Sequence, residues 1–173
     1  FEVTLLPVDA DGLLDLEALR AAIDDKTLIV SVMWANNETG VVQPIRPIAE
    51  IAHEAGAFMM SDATQAVGKV PVHADAAGVD LLAVSAHKFY GPKGMGALYV
   101  RRHPGVRLSA QIHGGGHERN MRSGTLATHQ IVGMGEALAL AVAERDAEQV
   151  RLAVLRDRLW GQIAALPGVH LNG

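Results

Sequence analysis

Three side chains of complementary chemistry recur at nearly even spacing: Asn37, Asp62 and Lys88, separated by 25 and 26 residues. Each lies just past or at the end of an apolar run, "LIVSVMW", "AFMMSDA" and "DLLAVSA" respectively. The separation corresponds to one strand–helix–strand unit, and parallel strands joined by such crossovers end on the same edge of the sheet. Ligands of open α/β sheets bind outside those carboxyl ends. The spacing therefore predicts one crevice facing an amide, a carboxylate and an amine. On spacing alone, a nucleotide-binding sheet fits as well.

Taken singly, each residue has a plainer reading. An aspartate at a strand end commonly builds a turn or caps a helix. A strand-end lysine is most often a solvated charge, and His87 beside it a satisfied structural histidine. Asn37 sits in "NNETG", where an asparagine can simply make a turn. The nucleotide reading lacks its usual support, because neither a Walker-type loop nor G-x-G-x-x-G follows any strand-like run. Pyridoxal phosphate, by contrast, requires this combination: a lysine for its aldehyde, an acid to keep its ring nitrogen protonated, and donors for its phosphate. In that reading Lys88 carries the Schiff base and moves the substrate proton, and Asp62 holds the pyridinium. Gln65 donates to the phenolic oxygen, while Ser85 and His87 donate to the phosphate.

The elements that must position these residues alternate along the chain. A short helix is expected over "DLEALRAAI" with Asp15 as its cap, and another over "PIAEIAHEAG" with Pro47 near its start and Gly56 as its stop. The three apolar runs read as buried parallel strands. "GPKG" supplies a tight turn, so "GALYVRR" returns as an antiparallel strand. The opening "FEVTLLPVD" also reads as a strand. "HGGGHERNMRSGT" is a glycine-rich loop, followed by a helical pattern from about 128 to 165 with weak points at Gly133 and Gly135, and a further strand is expected to start in "PGVHLNG". The expected fold class is α/β, a mostly parallel mixed sheet with helices on both faces.

A chain of 173 residues, 49% hydrophobic with net charge −4, has the composition of a soluble globular domain. No basic run points to nucleic acid and no apolar run is long enough for a membrane span. With no cysteine, disulfides and thiolate metal sites within the chain are excluded, and no metal is expected. A cytoplasmic location is expected. Phe1 opens inside a strand-like run without an initiator methionine, and the end follows closely on a helix, so a piece of a longer protein is expected.

Four segments, "NNETGVVQPI", "SDATQAVGKVPV", "SAHKFYGPKGMGALYVRR" and "HGGGHERNMRSGTLATHQIVGMGEA", together resemble the cysteine desulfurases of the NifS/IscS type in the class V aminotransferase family. The resemblance implies the large domain of a fold type I pyridoxal phosphate enzyme: its central part over 1–150, then a helix end and the start of a small domain over 151–173. It also implies conversion of L-cysteine to L-alanine, with sulfur passed to an enzyme cysteine for iron–sulfur cluster assembly or tRNA thiolation. Lys88 would be the Schiff-base lysine, Asp62 the ring-nitrogen partner, Gln65 the phenolic contact, and Ser85 and His87 the phosphate ligands. Asn37 would lie beside cofactor and substrate carboxylate. Thr125 would reach the phosphate of a neighbouring subunit, implying a homodimer, and sulfur-acceptor proteins such as an iron–sulfur scaffold would be partners. The family's upstream phosphate cradle and stacking histidine, and its downstream sulfur-accepting cysteine, are not in this chain. Another class V aminotransferase, a selenocysteine lyase and a non-catalytic piece are the alternatives.

Overall fold

The computed structural model describes residues 1–102 and 105–171. Helix α1 spans Leu16–Ala22, strand β1 Ile29–Met33, helix α2 Ile45–Glu54, β2 Phe58–Asp62, β3 Leu81–Ser85, β4 Gly96–Val100 and helix α3 Thr128–Ile163. The sheet order is β1-β2-β3-β4. The first three strands are parallel, and β4 runs antiparallel to β3. The mixed, mostly parallel sheet is thus the one expected.

Strand register sorts the side chains into two faces. Val30 pairs with Met59, and Ser61 with Leu82; all four are buried. Helix α2 covers this face with Ile45, Ile48, Ala49, Ile51 and Ala52, and α1 packs behind it through Leu19. Burying one Ile side chain stabilises by about 1.5–3 kcal/mol, so α2 anchors the core. Pro47 falls in its first turn, where a missing N–H costs nothing. Gly56 follows its end at φ 79°, a left-handed position that glycine adopts freely. Asp15 caps α1 as expected, accepting from Glu17 and Ala18 backbone N–H. The opposite face carries Met33, Asp62 and Ala83 in one paired row, each half-buried.

Four expectations need correction. Residues 1–7 form no strand: the run pairs with neither outer strand of the sheet, Val8 makes a bridge to Leu14, and Pro7 has no N–H to contribute to a ladder. No strand forms over 169–171 either, and positions 172 and 173 lie outside the described residues. The connection from β2 to β3 contains no helix: Gly68, Pro71 and Gly78 break it into turns, with Gly68 and Gly78 at φ 78° and 77°. Gly133 and Gly135 do not interrupt α3, which runs 36 residues and continues unbroken past position 150.

Helix α3 has no buried residue. It passes along the carboxyl edge of the sheet, meeting in turn the loop after β3, the turn after β2 and the turn after β1. A Cβ on Gly133 would stand 3.0 Å from Pro92, and one on Gly68 would stand 2.9 Å from Ala141. Further on, Arg156, Asp157 and Trp160 face Thr39, Gly40 and Val41 across a cavity of about 460 Å³.

Candidate functional site

Strand β3 ends at Ser85 and the chain tightens at once into a 3-10 turn, Ala86–Phe89. Ala86 and Phe89 are buried and anchor the turn, which leaves His87 and Lys88 exposed above the sheet edge. Tyr90 ends the turn in the left-handed region at φ 68°, and Gly91 N–H bonds back to the Ala86 carbonyl at 2.9 Å. The return into β4 requires Gly96, since a Cβ there would meet the Val84 carbonyl at 2.6 Å. Neither the Ser85 hydroxyl, the His87 ring nor the Lys88 ammonium has a hydrogen-bond partner among the described residues. These are donors standing open at one strand end.

Asp62 closes β2 on the face opposite α2. One oxygen accepts from Thr64 N–H at 2.8 Å, so the turn-building role is real but takes up only half of the carboxylate. The second oxygen has no hydrogen-bond partner among the described residues. The turn that follows places Gln65 half-buried beside the edge, and Lys69 Nζ donates to Gln65 Oε1 at 2.7 Å. Although Lys69 is exposed overall, its ammonium is partly desolvated. That burial, and then the charge of Lys88, hold it below the ordinary lysine range. This electrostatic coupling links the turn after β2 to the turn after β3.

Past β1, the turn-making asparagine is Asn36, whose Oδ1 accepts from Glu38 and Thr39 N–H at 2.8 and 3.0 Å. Asn37 is exposed, its Nδ2 donating to Glu38 Oε1 at 2.9 Å. Thr125 is also exposed, on the loop that leads to α3. That loop is held by buried Ser123, whose Oγ accepts from Gly116 N–H, and by His117 Nδ1, which accepts from Gly124 N–H. It turns through three consecutive residues in the left-handed region, Glu118, Arg119 and Asn120, at φ 49°, 57° and 63°. Asp62, Gln65, Ser85, His87 and Lys88 therefore stand at or just past the ends of β2 and β3. Asn37 follows the end of β1, and Thr125 is on a separate loop.

The donor set fits pyridoxal phosphate on the chemistry each atom offers. The free Asp62 oxygen can accept from a protonated ring nitrogen, the Gln65 amide can donate to an oxyanion, and the Ser85 and His87 donors can serve a phosphate. Lys88 supplies the primary amine. Two cavities lie elsewhere. One sits between α1 and α2 around Ile23 and Ile51, and the other beside α3. Neither is lined by Asp62, Gln65, Ser85, His87 or Lys88. Sequence reasoning missed Lys69 and Gly68, although the four-residue spacing of Gln65 and Lys69 in "QAVGK" was a usable signal.

The whole chain, residues 1–173, matches the family model described as aminotransferase class-V. It is 59% identical over all its residues to "Cysteine desulfurase IscS" of Neisseria meningitidis serogroup A, of which it covers 43%. Among solved structures, "NIFS-LIKE PROTEIN" superimposes on the whole chain with TM-score 0.95 at 38% identity, the match spanning 47% of that protein. "SspA in complex with cysteine" matches 80% of the chain with TM-score 0.77 at 42% identity, over 40% of its own length. The chain thus spans less than half the length of these three proteins. It belongs to the class V aminotransferase family.

Proposed function

We propose that this chain is the cofactor-binding core of a cysteine desulfurase that uses pyridoxal phosphate to release sulfur from L-cysteine. The observation that carries the reading is the placement of Asp62 and Lys88 at the carboxyl ends of the adjacent parallel strands β2 and β3. The reading is supported further by the cysteine desulfurase relative and by the similar structure described as a complex with cysteine.

When bound, the cofactor supplies an electron sink for the substrate carbanion. Lys88 offers its amine to the aldehyde and carries the proton at the substrate α-carbon. Asp62, fixed by its Thr64 bond, presents its free oxygen to the ring nitrogen and keeps it protonated. Gln65 donates to the phenolic oxygen, and Ser85 and His87 hold the phosphate. Asn37 lies to the side of cofactor and substrate. Thr125 serves the site of a second subunit, which makes the working unit a homodimer. The sulfur passes to a cysteine outside this chain and then to an acceptor such as an iron–sulfur scaffold.

The test uses the full-length protein containing this sequence. Lys88→Ala is expected to abolish sulfide and alanine release from L-cysteine while leaving the thermal midpoint close to wild type. Borohydride trapping with peptide mapping should put the cofactor mass on Lys88. Cofactor mass on Lys69 or Lys93, or retained turnover in Lys88→Ala, would refute the assignment.

A further inference from the structure

The turn after β2 carries a cation that the proposed chemistry leaves unused. Lys69 Nζ donates to Gln65 Oε1 at 2.7 Å. An ammonium has only donors, so it selects the oxygen of the carboxamide and leaves only NH₂ hydrogens for any other partner. Without such a contact an amide can rotate and present either end.

The root of this lysine is fixed on several sides. Its N–H bonds to the Ala66 carbonyl at 2.9 Å, and its own carbonyl accepts from Gln149 Nε2 of α3. The preceding Gly68 is pressed between Ala141 and Phe89, where a Cβ would stand 2.9 and 3.2 Å from theirs. Lys69 has no acidic partner among the described residues. The charge that perturbs it is Lys88 of the neighbouring turn, while α3 contributes the neutral Gln149. A partly desolvated lysine with no carboxylate, set beside a second lysine, is unfavourable on its own account, so its contact with Gln65 calls for a purpose.

We propose that Lys69 is a positioning residue: it locks the Gln65 carboxamide so that Gln65 can only donate to the cofactor's phenolic oxygen. This rests on the reading of the strand-end site as one for pyridoxal phosphate. A donor at that oxygen favours its ionised form. Loss of the lock therefore raises the pH at which the bound cofactor's visible spectrum changes.

The experiment titrates the visible absorption of pyridoxal phosphate bound to the full-length protein. The variants are Lys69→Met, Lys69→Arg, Gln65→Ala and the double variant Lys69→Met/Gln65→Ala. Lys69→Met should raise the spectral midpoint by about 0.5 pH unit or more, and Lys69→Arg, which keeps donor and charge, should restore it. In the Gln65→Ala background, Lys69→Met should have little further effect, because the two act as one unit. An unchanged midpoint in Lys69→Met would overturn the proposal. So would an equal shift with and without Gln65, which would mean that the lysine acts through its charge alone. If wild-type protein with added pyridoxal phosphate shows no bound visible band, the cofactor reading itself fails and this inference goes with it.

Discussion

At the residue scale, polar atoms near the end of β2 do opposite things. Asp62 divides its carboxylate between a local turn and an open position, whereas its neighbour Ser61, on the other face, is fully buried with no partner for its hydroxyl among the described residues. A buried hydroxyl without a hydrogen bond costs about 1–3 kcal/mol. Ser61→Ala is therefore expected to raise stability by about 1 kcal/mol in denaturant titration, and a loss of that size would show that the hydroxyl is satisfied after all. Tyr99 gives a pH prediction. Its hydroxyl donates to Asp75 Oδ1 at 2.5 Å, and this bond, then partial burial and the Asp75 charge, raise the phenol above its ordinary value. A raised folded value means that the contribution is fully present below the ordinary tyrosine pKa and is lost as pH rises through the folded one. Wild-type protein should thus lose thermal stability above about pH 10 more steeply than Tyr99→Phe. Parallel melting curves would reveal a different origin for the alkaline loss.

At the element scale, the sheet is tied at the end opposite the site. Asp80, just before β3, is buried and accepts from Met59 N–H and from His53 Nε2, each at 2.8 Å. Arg101, after β4, lies 3.6 Å from its other oxygen and donates to the Val79 and Asp75 carbonyls. This one carboxylate joins β2, α2 and the end of β4. Asp80→Ala would leave buried donors and a cation unpaired and should cost about 3 kcal/mol. A cost below about 1 kcal/mol would mean that the network is replaceable by water. Gly68 performs a comparable task for α3. It sits at φ 78° with no room for a Cβ, so Gly68→Ala should both strain the turn and push α3 off the sheet edge. The expected cost is about 2 kcal/mol, and it should be accompanied by faster amide exchange over 133–149. Slow exchange there, with the stability loss intact, would separate strain in the turn from helix docking.

At the scale of the whole molecule, the two long helices are stabilised very differently. Five residues of α2 are buried and none of α3 is. Val132, Val150 and Val154 of α3 are 71%, 68% and 63% exposed. Most helical stability in proteins comes from tertiary burial of a face, so in the 173-residue polypeptide α3 should exchange its amides far faster than α2. Equal protection of the two helices would show that a second copy covers α3. The apolar surface so exposed also favours association of that polypeptide with itself.

What was legible in the sequence was what local chemistry decides. Continuous apolar runs marked β1, β2 and β3, the short "GPKG" loop forced β4 to be antiparallel, and even spacing placed Asp62 and Lys88 at strand ends on one edge. The family could be read from the same segments, because glycines at strained turns and charged groups at strand ends leave distinct strings. Where a signal depended on a partner, the sequence misled. "FEVTLLPVD" alternates like a strand, yet a strand exists only where another edge accepts its hydrogen bonds. The crossover after β2 was expected to hold a helix, but it is made of turns. The seat of Gln149 on the Lys69 carbonyl, the second partner of Asp80 and the path of α3 across three loops join residues up to 80 positions apart. Only tertiary structure decides these, because the identity of a side chain's neighbour is fixed by which faces and edges meet, and local sequence carries no record of that meeting.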